Sequence, residues 1–394
     1  MRQGEIYINH FGPIDKGYEG YMPIYPITMF CGNQGSGKST VAKLISTFNW
    51  LEKALVRGDE SINKRTNTAK FLKHHCTFHR IHNYFKEDTE LHYRGIKYDF
   101  HYKNETFSVE EKNEDVEYLM PKIIYVPAER NFLTCIEHPE ILREIPDSLY
   151  SMFVEYDKAR KELNRDFVLP IDNLVFQYDK LKDISWLKND KFKVKVSEAA
   201  SGFQSMIPML LVTKYMLYII DNRQSAITNA KQSQMIEKRI NQILADDTIS
   251  EETRKILLSK QSSLLKYSRL INIVEEPEQN LYPLAQREVL YKLFEARNFA
   301  NDNLLVITTH SPYLIDYTTL AIKAYNTQNN KEDVQKIVPE KSQINGEDVC
   351  IYQIENGRIE RLKTFEGMPS DSNLLNQELC ATNESFAQLL EFED

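Results

Sequence analysis

Hydrophobic and polar positions repeat with two periods along this chain, and each change of period marks an element. Glu5-Ile6-Tyr7-Ile8-Asn9-His10-Phe11 alternates and predicts an edge strand closed by a Gly12-Pro13 turn. Ile24 to Cys31 is a β-rich apolar run, and Val41 to Ser46 has the apolar spacing of a helix. Leu91 to Glu110 alternates aromatic with polar residues and predicts antiparallel hairpins turning near Arg94-Gly95 and Lys103-Asn104. Pro121 to Val126, Leu270 to Val274 and Leu304 to Thr309 read as buried strands, Ile141 to Asp166 as an amphipathic helix, and Phe192 to Val196 as a further strand. Met206 to Ile220 is strongly apolar, but Pro208 and Lys214 interrupt it, so it reads as a core helix rather than a membrane span. Residues 223–268 turn polar, with two helical patterns around Asp246-Asp247-Thr248 that predict an inserted helical hairpin. Val349 to Leu362 predicts a last hairpin turning at Glu355-Asn356-Gly357. From Glu366 the chain reads as a polar tail ending in Glu393-Asp394.

Strands alternating with helices imply an α/β fold around a mostly parallel sheet, with antiparallel additions near residues 90–110 and 350–360. The expected organisation is one unit over 1–394. It carries a polar, antiparallel lobe at 50–110, the helical insert at 223–268, and a C-terminal hairpin and tail at 320–394. Composition narrows this modestly. The chain is 42% hydrophobic and 27% charged, as in a globular protein with a full core. A formal net charge of −8 argues against a bulk polyanion binder. Five scattered cysteines, an odd number, argue against a disulfide framework and fit a reducing compartment. Met1-Arg2-Gln3-Gly4-Glu5 has no apolar core of a signal peptide behind it. A soluble, cytoplasmic protein with no membrane partner is expected.

The chemistry begins at Gly32-Asn33-Gln34-Gly35-Ser36-Gly37-Lys38-Ser39, followed by Thr40. The spacing G-x-x-x-x-G-K-S between a strand and a helix is that of a phosphate-binding loop. Glycines let successive backbone N–H groups turn inward toward phosphate oxygens, and the helix that follows aims its positive end at the same point. Lys38 is placed to reach the β- and γ-phosphates of ATP, and the Ser39 hydroxyl to hold Mg²⁺. Three further stretches sit at element ends. Glu275, closing a buried strand, is a candidate Mg²⁺ ligand, and Glu276 a candidate to orient and deprotonate the attacking water. His310, closing the neighbouring strand, is a candidate γ-phosphate contact. Ser201-Gly202, before a helix, is a second anion site. The histidine-rich stretch His74-His75-Cys76-x-x-His79-x-x-His82 places His75 and His79 at the i, i+4 spacing of a metal pair. It lacks an acidic residue between them and any zinc-finger spacing, so a solvated helix with partly buried imidazoles is the competing reading.

In this order the motifs resemble the ABC-type ATPase heads of the SMC, RecF and OLD group. Glu275-Glu276-Pro277-Glu278 is similar to the two-glutamate Walker B form of the OLD-like branch, Ala200-Ser201-Gly202-Phe203-Gln204 to a degenerate signature motif, and Val126-Pro127-Ala128-Glu129-Arg130 to a segment of that branch. The chain departs from the pattern in three ways. Phe203 stands at the second signature glycine, Glu275 replaces the usual Asp, and no clear Gln marks the loop that senses Mg²⁺, where Glu129 or Arg130 is the nearest candidate. The resemblance implies a homo-oligomer, a dimer or an assembly of dimers, in which the phosphate loop of one subunit faces Ser201-Gly202 of another across ATP. Hydrolysis at Glu276 would then release the pair. Compact heads with short inserts resemble ATPase subunits of anti-phage systems such as PARIS and Septu, which pair with a separate Toprim or HNH nuclease. The resemblance therefore implies an ATP-hydrolysing scaffold or sensor that holds an effector nuclease and answers a nucleic-acid or phage-protein trigger. The alternative is a DNA-binding repair ATPase of the RecF or SMC type.

Overall fold

A computed structural model of the chain describes residues 3–59, 68–112, 116–135, 145–162, 166–226, 230–246, 248–327, 329–365 and 367–392. Residues 60–67, 141–144, 163–165, Asp247, Glu366 and Glu393-Asp394, which entered the sequence reading, lie outside the described residues.

The central sheet holds six strands in the order β15-β14-β3-β13-β12-β7. They are β3 (Ile27–Cys31), β7 (Pro121–Val126), β12 (Arg269–Glu275), β13 (Leu304–Thr309), β14 (Val349–Glu355) and β15 (Arg358–Arg361). All neighbours run parallel except β14 and β15. The central strands β3, β13 and β12 are buried at every position and mostly apolar because the sheet is covered on both faces there. Along β3, Ile27 and Met29 feed one hydrophobic core while Phe30 feeds the other. Helix α1 (Lys38–Arg57) packs into the second core through Val41, Leu44, Ile45 and Phe48. The opposite face is covered by α2 (Asp147–Glu162), α3 (Ser201–Asp221), α6 (Pro283–Asn298) and α7 (Pro312–Asn326). Between α3 and β12 the chain forms α4 (Ala230–Ala245) and α5 (Glu251–Ser263).

Two antiparallel sheets flank this body. One has the order β2-β1-β4-β5-β6, built from β1 (Glu5–Phe11), β2 (Met22–Pro23), β4 (Phe85–Arg94), β5 (Tyr98–Lys103) and β6 (Thr106–Glu111). The other is built from β8 (Phe167–Val168), β9 (Val175–Asp179), β10 (Ile184–Lys188) and β11 (Lys193–Lys195), in the order β11-β10-β9-β8. Helix α3 is the one described helix long and apolar enough to cross a membrane, yet 67% of its most apolar stretch is buried inside the protein. The expected α/β class is the one the chain adopts: a mixed core sheet with helices on both faces, an antiparallel β lobe and a helical insertion.

Several expectations need correction. The strand at Glu5–Phe11 is not an edge, because β1 lies between β2 and β4. Residues 50–57 belong to α1 rather than opening a lobe. The hairpin at 350–360 is not wholly antiparallel to the core: β14 pairs parallel with β3, beside the phosphate loop. The polar tail contains a helix, α8 (Leu374–Glu391), whose Asn373 side chain caps it by accepting from the Asn376 N–H. The strand expected at 192–196 is β11, one of four in this sheet; the partly exposed, mixed residues of β9 and β10 give no clean alternation.

An aromatic stack ties the segment after α1 to the antiparallel lobe. Phe71 lies flat on Phe107 at 3.9 Å between centroids and near Phe48, and all three are buried. Phe71→Ala leaves a cavity there and is expected to cost about 3–5 kcal/mol, measured by urea denaturation.

Candidate functional site

The carboxyl ends of β3, β13 and β12 lie side by side, since Cys31 is in register with Thr309 and Glu275 with Thr308. The phosphate loop leaves β3, His310 leaves β13 and Glu276 leaves β12. One strand therefore separates the loop strand from the acidic strand. This is the end of an open α/β sheet at which ligands sit.

The loop has the geometry its glycines predict. Gly32, Gly35 and Gly37 have φ of 141°, 76° and 110°. At Gly32 a Cβ would come within 2.3 Å of the Ile354 carbonyl oxygen, so β14 closes the back of the loop and admits only glycine. Asn33, Gln34 and Gly35 form its exposed lip, Ser39 is half-buried and Thr40 buried in the first turn of α1. The Ser36 hydroxyl is buried with no hydrogen-bond partner among the described residues. Lys38 is 4% exposed and donates to the Gly32 and Asn33 carbonyls at 2.9 and 2.8 Å. Burial pulls its pKa down to about 8, opposed by the charge of Glu276. An orphaned hydroxyl, inward-turned glycines and a dehydrated ammonium suit the phosphates of a nucleotide.

His310 joins the two halves of the site. Its Nδ1 lies 3.4 Å from Lys38 Nζ, and its Nε2 lies 3.4 Å from Glu276 Oε1. With the ammonium donating to Nδ1, the Nε2 proton faces the carboxylate. That contact holds the Glu276 carboxyl below its ordinary pKa, as a base at neutral pH. Glu278 fixes the histidine from behind, accepting the Thr309 hydroxyl at 2.8 Å and the His310 N–H at 2.7 Å.

Glu276 has φ 43°, a left-handed conformation uncommon for a residue with a side chain. Arg130 holds it there. This guanidinium is fully buried and donates to the carbonyls of Glu275 at 2.6 Å, Glu276 at 2.7 Å, Pro127 at 3.2 Å and Ser205 at 3.1 Å. Burial pulls its pKa down to about 10. Glu275 points toward β7, where it accepts the Tyr125 hydroxyl and, at 3.2 Å, the Ala128 N–H. Both Glu275 oxygens are thus engaged by the protein itself.

Ser201 and Gly202 open α3, and among the described residues no hydrogen bond links them to the phosphate loop. Gly202 packs against the turn after Glu276, where a Cβ would lie 2.7 Å from the Asn280 carbonyl oxygen. The chain thus brings Lys38, His310 and Glu276 together and leaves Ser201-Gly202 outside their hydrogen-bonded group. Sequence reasoning missed the roles of Tyr125, Glu278 and Ile354 and placed Arg130 only loosely. The Pro-Ala-Glu-Arg turn at a strand end was the available signal for Arg130.

Residues 164–316 match a family described as "AAA domain, putative AbiEii toxin, Type IV TA system". No curated protein sequence matches the chain. Solved structures with similarity include a Smc head bound to the C-winged helix domain of ScpA, with 8% identity, TM-score 0.40, and 92% of this chain and 97% of that chain covered. Another is an SMC head domain from Thermotoga maritima, with 10% identity, TM-score 0.37, and 93% and 100% covered. A third is a nucleotide-free ATP-binding cassette from an ABC transporter, with 11% identity, TM-score 0.28, and 93% of each chain covered.

Two outcomes follow from this geometry. Arg130→Met leaves four carbonyls without their donor and is expected to cost about 3–5 kcal/mol by urea denaturation. ATP affinity of the free protein is expected to fall as pH rises through about 8, because Lys38 loses its proton there; calorimetric titration across the neutral and alkaline range measures it.

Proposed function

We propose that the protein hydrolyses ATP and works as the scaffold or sensor subunit of a bacterial anti-phage complex, holding a separate effector nuclease and releasing it. The observation that carries the catalytic part is the chain Lys38–His310–Glu276 at the ends of adjacent parallel strands. In this reading the loop from Gly32 to Thr40 cradles the phosphates, and Lys38 leaves its loop carbonyls for phosphate oxygens. Glu276, ionised and held at a fixed angle by Arg130, takes the proton of the attacking water. His310 sits between ammonium and carboxylate, so loss of a phosphate near Lys38 changes the contact it makes to Glu276. Ser39 and Glu275 would hold Mg²⁺, which when bound neutralises charge on the phosphates.

The separation of Ser201-Gly202 from this group supports the oligomeric part. In this reading the N-terminus of α3, which opens with an exposed serine and a half-buried glycine, meets nucleotide held by another subunit. The matched family's description names a toxin and a toxin–antitoxin system, a setting of paired components that favours a partner-dependent role. The nuclease and its trigger, nucleic acid or phage protein, belong to this reading through the resemblance of the motifs.

Glu276→Gln is expected to bind ATP without turning it over and to accumulate as an oligomer, measured by light scattering with and without ATP. An unchanged mass would count against nucleotide clasped between subunits. Salt-dependent binding of the unmodified protein to plain duplex DNA would favour the repair-ATPase alternative instead.

A further inference from the structure

Helix α8 leaves the body of the protein soon after it starts. Its beginning is anchored: Asn373 is buried, the Leu374 N–H donates to the Gln353 side chain at 2.9 Å, and Leu374, Leu375 and Asn376 are half-buried. From Gln377 to Phe392 every side chain described is exposed. The helix has 18 residues and is therefore about 27 Å long. Phe386 is 63% exposed, Leu389 62% and Leu390 47%, and Phe392, just past the last turn, is 82% exposed. Single apolar residues on a surface need no explanation, but four within one short stretch of a projecting helix make a patch.

Nothing within the helix compensates for that exposure. An isolated helix is marginal in water and takes most of its stability from packing an apolar face. Opposite charges four residues apart would help, but the sequence has no Lys, Arg or His from Thr364 to Asp394. The macrodipole is not served either. No acidic residue lies in the first turn, no basic one in the last, and Glu391 stands at the negative end. A helix built this way calls for a surface to cover it.

The spacing of the apolar residues says what that surface is. In the sequence Leu375, Leu379, Thr382, Phe386 and Leu389 follow one another at alternating steps of four and three, the a and d spacing of a seam that meets another helix. In that register Glu384 and Glu391 fall at f, furthest from the seam. The flanking e and g positions hold Asn376, Glu378, Asn383, Ser385, Leu390 and Phe392, a single charge among them. A partner of opposite charge is chosen through charged flanking positions, which this helix lacks. A second copy of the same helix meets little repulsion there and offers the same apolar seam. We propose that α8 is a self-association helix, through which two copies of the chain pair seam to seam about a two-fold axis without nucleotide. At little over two heptads the seam is short, so the pair is reversible. This contact is separate from the nucleotide clasped between subunits proposed above and does not rest on it.

The full chain is weighed by light scattering over a range of concentrations, without nucleotide and with reductant, because Cys135 and Cys380 are exposed thiols. The mass is expected to climb from one chain toward two as concentration rises through about 10–100 µM, the range of a weak reversible pair. Phe386→Glu combined with Leu389→Glu should raise that midpoint tenfold or more. Both residues are exposed, so the body keeps its fold, which a thermal melt checks. Glu384→Lys, on the opposite face, should leave the midpoint in place. Mixed with the unaltered chain, the seam variant should fail to join it, since each copy must lend a seam. A mass of one chain throughout, or a pair indifferent to the seam variant, overturns the proposal. A seam variant that joins the unaltered chain undiminished shows α8 resting on some other surface and overturns it too. A mass of two chains that appears only with ATP overturns this pairing and leaves the clasped nucleotide standing. Nucleotide-free pairing lost in the seam variant, with Glu276→Gln no heavier in ATP, supports this pairing and counts against the clasp.

Discussion

A single buried guanidinium organises the candidate site of this protein. Arg130 reaches from the turn after β7 into the space between β12 and α3, and its donors are taken up by four backbone carbonyls. Backbone oxygens, rather than a carboxylate, satisfy it, and Glu278, Glu276 and Glu275 supply negative charge at longer range. A buried charge is tolerated only when hydrogen-bonded and compensated, so these elements are bound to one another by the cost of separating them. The consequence is a Glu276 held in a conformation it would not otherwise keep, facing His310.

Around that clamp the charges alternate. Lys38, His310 and Glu276 form a line from ammonium through imidazole to carboxylate, with Glu278 behind the imidazole. Burial weakens the hold of Lys38 on its proton, while the His310 contact strengthens the acidity of Glu276. Such a line is responsive, since a new negative charge near Lys38 alters the partner available to His310. The Tyr125 hydroxyl, which donates to Glu275, belongs to a ring that also packs against His79.

Much of the site was legible before any coordinates. The phosphate loop is a local object: six residues between a strand and a helix, whose conformation follows from glycine positions and from the helix that continues them. The buried strands were legible because a sheet covered on both faces leaves only apolar residues, as in Ile271 and Ile273 on one side and Leu270 and Val274 on the other. The α/β class and the placement of Glu276 and His310 at strand ends followed from these runs. The helix at Leu374–Glu391 escaped notice because Phe386, Leu389 and Leu390 stay exposed and polar residues separate them from Leu374 and Leu375.

What local pattern determined, then, is the set of elements and the residues at their ends, because hydrophobic period and turn chemistry act within a few residues. What only the tertiary structure decided is adjacency. The insertion of β13 between β3 and β12 puts His310 between Lys38 and Glu276, and the parallel docking of β14 on β3 sets the Ile354 carbonyl against Gly32. Neither is written in the spacing of the motifs, since residues hundreds of positions apart meet through the order of strands in a sheet. The same holds for Arg130, whose role appears only once three separate turns are brought within reach of one side chain.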